Sequence, residues 1–340
     1  MFLLTRQELV ALSIFISYFL IIISLFVLIG RSLWRKSEDP RITSEQRKKA
    51  MAFRILSGSS FGSTWYSMIA FLVWSFRDFE ANHYTDSSQY ALDGLTRLTA
   101  WLMNSELFEQ AWSTVCSGPM NWWWSEKLCL FTVGYWTVFL ATEGRTHKVP
   151  HLWAYMLLGQ VVAISVAANL FYVALILFTV PAPIASKESP KERSRSTPWT
   201  LWLSVTASLI TIFLSPYTTP ATFLPNLLVM HTLIIVPLIF PLITSNSSKT
   251  PQRFNTWFLY GFVVMVSLVL HAGTTITAFA SVQEGQRTVG EFARKAMETF
   301  NEHPAQKSIC WDVVWTYVSL AAWKLWPSTA EKRYAEKKVG

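Results

Sequence analysis

Eight apolar runs, each close to the length of a bilayer crossing, dominate this chain: roughly 9–30, 56–76, 128–142, 152–180, 199–215, 224–243, 257–280 and 309–326. A helix needs about 20 apolar residues to span the hydrocarbon layer. Within lipid, only helices and closed barrels satisfy every backbone N–H and C=O. Runs of this length without apolar/polar alternation predict helices. The expected fold is therefore all-α: a polytopic integral membrane bundle of eight or nine transmembrane helices, a single domain over 1–340. Composition agrees, with 51% hydrophobic and 15% charged residues against about 25% charged in a soluble domain. The 17 Trp and 23 Phe exceed what two interfacial belts need, which leaves rings to wall a cavity.

The net charge of +8 fits Lys- and Arg-rich cytosolic loops rather than nucleic-acid binding. Cys116, Cys129 and Cys310 form no motif, and an odd count argues against a disulfide framework. The first run is too long for a signal-peptide core and is expected to stay as a span. The Pro- and Ser-rich linker 181–198 separates a front span group (1–180) from a plainer back group (199–326), and a basic tail follows at 327–340. The 283–307 stretch, with EFARKAMETF, predicts a short amphipathic surface helix.

One stretch breaks the pattern. Residues 74–112 carry Arg77, Asp78, Glu80, His83, Asp86, Asp93, Arg97, Glu106 and Glu109 between apolar runs. Ionisable groups at the centre of a span cost about 2.5–3.5 kcal/mol each on insertion scales. If 91–112 is a ninth span, Lys and Arg outside the spans divide 19 to 8 in favour of the cytosolic side. With eight spans they divide evenly, 14 to 14. The positive-inside rule therefore favours nine, with the N-terminus outside.

In that arrangement Asp78, Glu80, Asp93 and Glu143 converge on one membrane face as candidate catalytic carboxyls. His147, His151 and Asp312 fall on the same side. His83, Asp86, Arg97, Asn104, Trp74 and Trp101 are candidate substrate-binding residues around the carboxyls. Asp93 and Arg97 are spaced to pair on one helix face, and Asn104 shares that face. Glu106 and Glu109 point elsewhere. Acid–base work needs one carboxyl to donate and a second group to relay the proton, and apolar walls keep a carboxyl protonated. Trp122-Trp123-Trp124 reads as an interfacial anchor and His271, inside an apolar run, as a satisfied core histidine. No DDxxD, NDxxD or DxDD pattern, P-loop, GxGxxG or GxSxG is present, and the six scattered His do not make a di-iron site. What is left is acid catalysis without metal or cofactor on an apolar substrate, or no catalysis.

The run FRDFEANHYTDSSQYALDGLTRLTAWLMNSELFEQAW, then WWWSEKLC and GYWTVFLATEGRTHKVPHLWAYMLLGQVVAISVAANLF, resembles the fungal membrane-bound terpene cyclases that include the cyclase of ascofuranone biosynthesis. The resemblance covers most of 55–180. It implies an enzyme of secondary-metabolite (meroterpenoid) biosynthesis in the endoplasmic reticulum membrane. Such an enzyme protonates an epoxide on a prenylated or polyene substrate and closes a ring without cofactor. Two alternatives stand beside it: an epoxide hydrolase or cyclase of a polyene polyketide, and a small-molecule transporter. The nine-span topology places Asn246-Ser247-Ser248, a glycosylation sequon, in the cytosol. Expression in microsomes is expected to leave Asn246 without glycan, and a glycan there would overturn that topology.

Overall fold

The computed structural model describes residues 4–83, 93–179, 196–239, 253–283 and 287–326. Its helices are α1 (Arg6–Ser37), α2 (Ser44–His83), α3 (Gly94–Asn104), α4 (Leu107–Cys116), α5 (Pro119–Leu130), α6 (Thr137–Thr146), α7 (Leu152–Val161), α8 (Ile164–Leu177), α9 (Trp199–Leu214), α10 (Pro220–Ile239), α11 (Thr256–Ala280), α12 (Val289–Glu302) and α13 (Pro304–Leu325). A π-helical turn, Phe131–Trp136, joins α5 to α6 without a break. Two three-residue strands, β1 (Ser196–Pro198) and β2 (Arg253–Asn255), pair antiparallel beside the starts of α9 and α11. Among the described residues, four helical stretches are long and apolar enough to cross a membrane: Arg6–Ser37, Trp199–Tyr217, Ala221–Ile239 and Thr256–Ala280.

Side-chain contacts fix the direction of each helix. Phe26 meets Phe61 at 5.6 Å and Phe19 meets Trp65 at 6.2 Å, so α1 and α2 run antiparallel. Ser308 Oγ donates to the Thr64 carbonyl (2.9 Å) and Lys49 Nζ to the Trp326 carbonyl (2.8 Å), so α13 runs against α2. Asn121 bonds Gln306, while Phe131 faces Tyr317 and Phe139 faces Trp323; α5 and α6 therefore run with α13. Trp123 bonds Thr275 and Tyr135 faces Tyr260, which sets α11 against α5. The bundle thus has a proximal end, where α1 begins, and a distal end, where α2 begins.

Two expected spans are not single helices. The 91–112 segment breaks at Ser105 and Glu106 into α3 and α4. The long run 152–180 folds back on itself. α7 rises from the distal end until the Val161 carbonyl accepts Tyr18 OH (2.7 Å). The chain turns at Val162 and Ala163. α8 then descends, with Ser57 bonded to the Val166 carbonyl and Gln46 to that of Ile176. Gly159 permits the close approach of the two arms: a Cβ there would lie 2.8 Å from Ile164 Cδ1. All but one residue of α8 are buried. A helix apolar on every side belongs inside a protein as readily as inside lipid. The run is therefore the centre of the core, packed with Trp136, Tyr155, Phe171 and Tyr172.

Backbone groups freed by these irregularities find side chains. Asp312, in mid-α13 and 5% exposed, accepts from the Ile164 N–H (2.9 Å) and the Ser165 N–H (2.8 Å), capping α8 at the hairpin tip. The sequence reading set Asp312 at the mouth of a span beside the other carboxyls. It is instead the buried cap of a neighbouring helix. Pro237, inside α10, has no N–H to give the Leu233 carbonyl, and Ser204 Oγ of α9 donates to it. At the α1–α2 turn Asp39 receives Lys36 Nζ and Arg41, and these cations hold its carboxyl well below the usual range. The amphipathic α12 forms as expected, with Thr288 accepting from the Glu291 N–H.

Removing a charged cap deep in the bundle leaves two N–H groups without partners. Asp312→Ala is expected to lower unfolding free energy by about 3 kcal/mol. Asp312→Asn, which keeps one acceptor oxygen, loses about half as much. Thermal unfolding in detergent checks both.

Candidate active site

The expected site residues do not gather at one place, although Glu80 and Arg97 meet. Asp78 is exposed near the proximal end of α2, beside Tyr66, Ile69, Val73 and Trp74 on an outward face of that one helix. Glu80 is half-buried and bonded by Arg97 of α3 through both Nε (2.6 Å) and Nη2. The partner of Arg97 is thus Glu80 and not Asp93, because α3 starts at Gly94 and lays Arg97 across the last turns of α2, over the Phe76 ring. Asp93 is the exposed N-cap of α3 and bonds no helix N–H through its side chain. His83 stacks on Phe79 at 4.2 Å. Asn104 bonds back to the Ala100 carbonyl at the exposed end of α3. Trp101 is buried, its indole N–H on Ser75 Oγ (3.3 Å). Trp74 meets the His303 ring edge-on at 4.4 Å. Burial pulls the His303 imidazole below its usual pKa, in keeping with a Nδ1 that accepts the Ala305 N–H. Asp86 lies outside the described residues.

Glu143 sits at the other end of the bundle. It follows Phe139, which packs on Tyr172 and Trp323 near the distal end, and its neighbour is His147 (Nδ1 3.8 Å from Oε2). The four expected catalytic carboxyls are thus divided between the two ends, and Glu80 is tied into an ion pair that joins α2 to α3.

A different carboxyl faces a cavity. Glu126 of α5 is 3% exposed. Its Oε1 accepts from Thr274 Oγ1 (2.7 Å) and its Oε2 lies 3.1 Å from His271 Nδ1, both on α11. It lines a cavity of about 510 Å³ together with Cys116, Trp122, Ile212, Phe213, Tyr217, Leu270 and Thr274. Gly118 contributes to the wall at φ +83, a left-handed conformation that lets the chain turn from α4 into Pro119 at the head of α5. Behind the dyad, the Trp123 ring stacks on His271 at 6.1 Å and its N–H donates to Thr275. The Lys127 ammonium lies over the Trp123 and Trp124 rings. Phe292 of α12 closes on Trp123 from outside (5.1 Å).

The sequence contained a signal for this site: a Glu beside a Lys in the Trp-rich α5, and one His in the apolar α11. An unneutralised carboxylate is costly there, so it needs a partner, and His271 and Thr274 are that partner. The triple Trp drew attention as a membrane anchor and hid the glutamate two residues beyond it. Chemically the arrangement offers one carboxyl in an apolar, ring-lined chamber, with an imidazole able to share its proton. Among the described residues no group of three or more His, Cys, Asp or Glu is placed to hold a metal ion. Comparison with family models, curated proteins and solved structures returns no match to the chain.

The Glu80–Arg97 pair is expected to act in stability, as a tether between α2 and α3. A double-mutant cycle with Glu80→Gln and Arg97→Met should give a coupling of about 1–2 kcal/mol in thermal unfolding, with turnover of any substrate retained.

Proposed function

We propose that the chain is a multi-pass enzyme of the endoplasmic reticulum membrane that opens an epoxide by acid catalysis and closes a ring, as a terpene cyclase of secondary metabolism. The observation that carries the reading is Glu126, buried at the wall of an apolar cavity and bonded to His271 and Thr274. Glu126, protonated, donates to the epoxide oxygen. The carbon–oxygen bond breaks as an internal alkene or hydroxyl attacks carbon, and positive charge passes close to the Trp122 ring, whose face attracts cations. The proton lost on ring closure returns to Glu126 or to His271 Nδ1. Substrate and product are isomers, and no cofactor enters the balance. A general acid in place contributes about 10²–10⁴-fold, and exclusion of water protects the cation until the internal nucleophile arrives.

The proposed topology has seven crossings: α1, α2, α5 with α6, α9, α10, α11 and α13. The hairpin α7–α8 enters from the distal side without crossing. Only 8 of the 29 Lys and Arg belong to the proximal half, so the positive-inside rule supports a cytosolic distal end and an N-terminus outside.

A transporter reading draws on the same hairpin, since broken helices form many transport sites. There, however, the free N-terminus of a half-helix binds the substrate. Here Asp312 already occupies that position on α8. An epoxide hydrolase needs the same acid with water admitted, and product mass separates the two.

In microsomes fed with a 10,11-epoxyfarnesyl phenol, the wild type is expected to yield an isomeric product. Glu126→Gln should lower turnover at least 10²-fold at equal protein level, whereas Asp78→Asn should leave it unchanged. Full turnover by Glu126→Gln would remove the acid assignment.

A further inference from the structure

The cavity at Glu126 opens sideways. Its inner wall is closed: Ile212 is 1% exposed and Trp122 7%. Its outer rim is Phe213 and Tyr217, at the end of α9, and Val269 of α11, which are 52%, 74% and 67% exposed. Both helices are among the four long and apolar enough to cross a membrane. Along them Leu203, Ile210, Val264, Met265 and Leu268 are exposed too. A mouth framed by such a wall faces hydrocarbon, where a charged or strongly hydrated molecule does not go.

The α11 side of the opening is Val269, Leu270, Gly273, Thr274 and Thr277, the i, i+1, i+4, i+5, i+8 pattern of one helix face. Gly273 stands between the exposed rim and Thr274, the residue that bonds Glu126. A Cβ built at Gly273 meets nothing within 4 Å, so the space beside it is part of the opening. The polar lining includes Glu126, Thr274, Thr277, the Cys116 thiol and the Trp122 indole N–H.

Resting on the epoxide-opening reading of the same cavity, we infer that the substrate is an uncharged, elongated, lipid-soluble chain that enters epoxide first from the bilayer. It passes between α9 and α11, and Gly273 sets the width of the passage. The tail stays among the lipid chains beside Phe213 and Val269 while the head reaches Glu126. A cavity of about 510 Å³ then needs to hold only the reacting end. The proton step is the one already written, so the passage adds no reagent.

Entry is tested apart from chemistry with an uncharged fifteen-carbon chain carrying a diazirine near its polar end. Irradiation of wild-type membranes is expected to label the peptides that contain α9 and α11, and to label Glu126→Gln equally. Gly273→Trp should cut labelling at least fivefold and turnover of the epoxyfarnesyl probe by a similar factor, with thermal stability held. Should Gly273→Trp fail to fold, Thr277→Trp at the same mouth serves in its place. Labelling on other helices, or labelling that either tryptophan leaves unchanged, overturns the lateral passage. Labelling blocked by tryptophan in a protein that turns over no epoxide keeps the passage and removes the acid reading.

Discussion

The Asp312 carboxylate at the start of α8 is the contact on which the interior depends. A hairpin that ends inside a membrane protein exposes the first N–H groups of its second arm to a medium without water. Asp312 accepts two of them. Its acceptor oxygens also face the positive end of the α8 dipole, a position that favours acceptors. Around this point Ser57 holds the Val166 carbonyl, and Asn169 reaches from α8 to Ser319 of α13. α2, α8 and α13 are thereby fixed against one another, and α5 and α6 are laid along α13. The position of Glu126 opposite α11 follows from that frame.

Charge density along the sequence does not measure burial, and the two differ sharply in this chain. The stretch 74–112 is rich in ionisable groups, yet its described carboxyls are at helix ends, where water is near, or in the ion pair of Glu80 with Arg97. A single carboxyl carries more information when its surroundings are apolar. Glu126 is 3% exposed, beside Lys127 in a helix that also carries three Trp and two Leu. Its partners come from a helix about 145 residues later in the chain. That separation is the reason spacing along the sequence did not reveal it.

The all-helical membrane architecture, the spans near 9–30, 199–215, 224–243 and 257–280, and the amphipathic α12 were legible in the sequence, because length, hydropathy and helical period determine them. The hairpin was not. Residues 152–180 are apolar all round, and hydropathy gives the same value whether the neighbours are lipid tails or other helices. What distinguishes them is Asp312, an acceptor placed by a helix far along the chain. The α3–α4 break was hidden for a similar reason: Ser105 and Glu106 interrupt the helix, but the positive-inside count rewarded a crossing there. In the proposed seven-crossing topology the hairpin serves that balance without a crossing at 91–112, since a segment that enters and leaves by one end returns the following loops to the cytosolic side.

Whether an acid of this kind makes a ring or a diol depends on what stands nearest the cation, and here the geometry bears on the answer. Glu126 has its oxygens engaged by Thr274 and His271, and among the described residues no second carboxyl lines the same cavity to steer a water. On the proposed epoxide-opening reading, the Trp122 ring stabilises charge but does not hold water in a line of attack. A nucleophile must then arrive on the substrate itself, folded against that ring. The proposal therefore calls for ring closure with a chain that carries an internal alkene or hydroxyl, and gives a saturated epoxide little to react with.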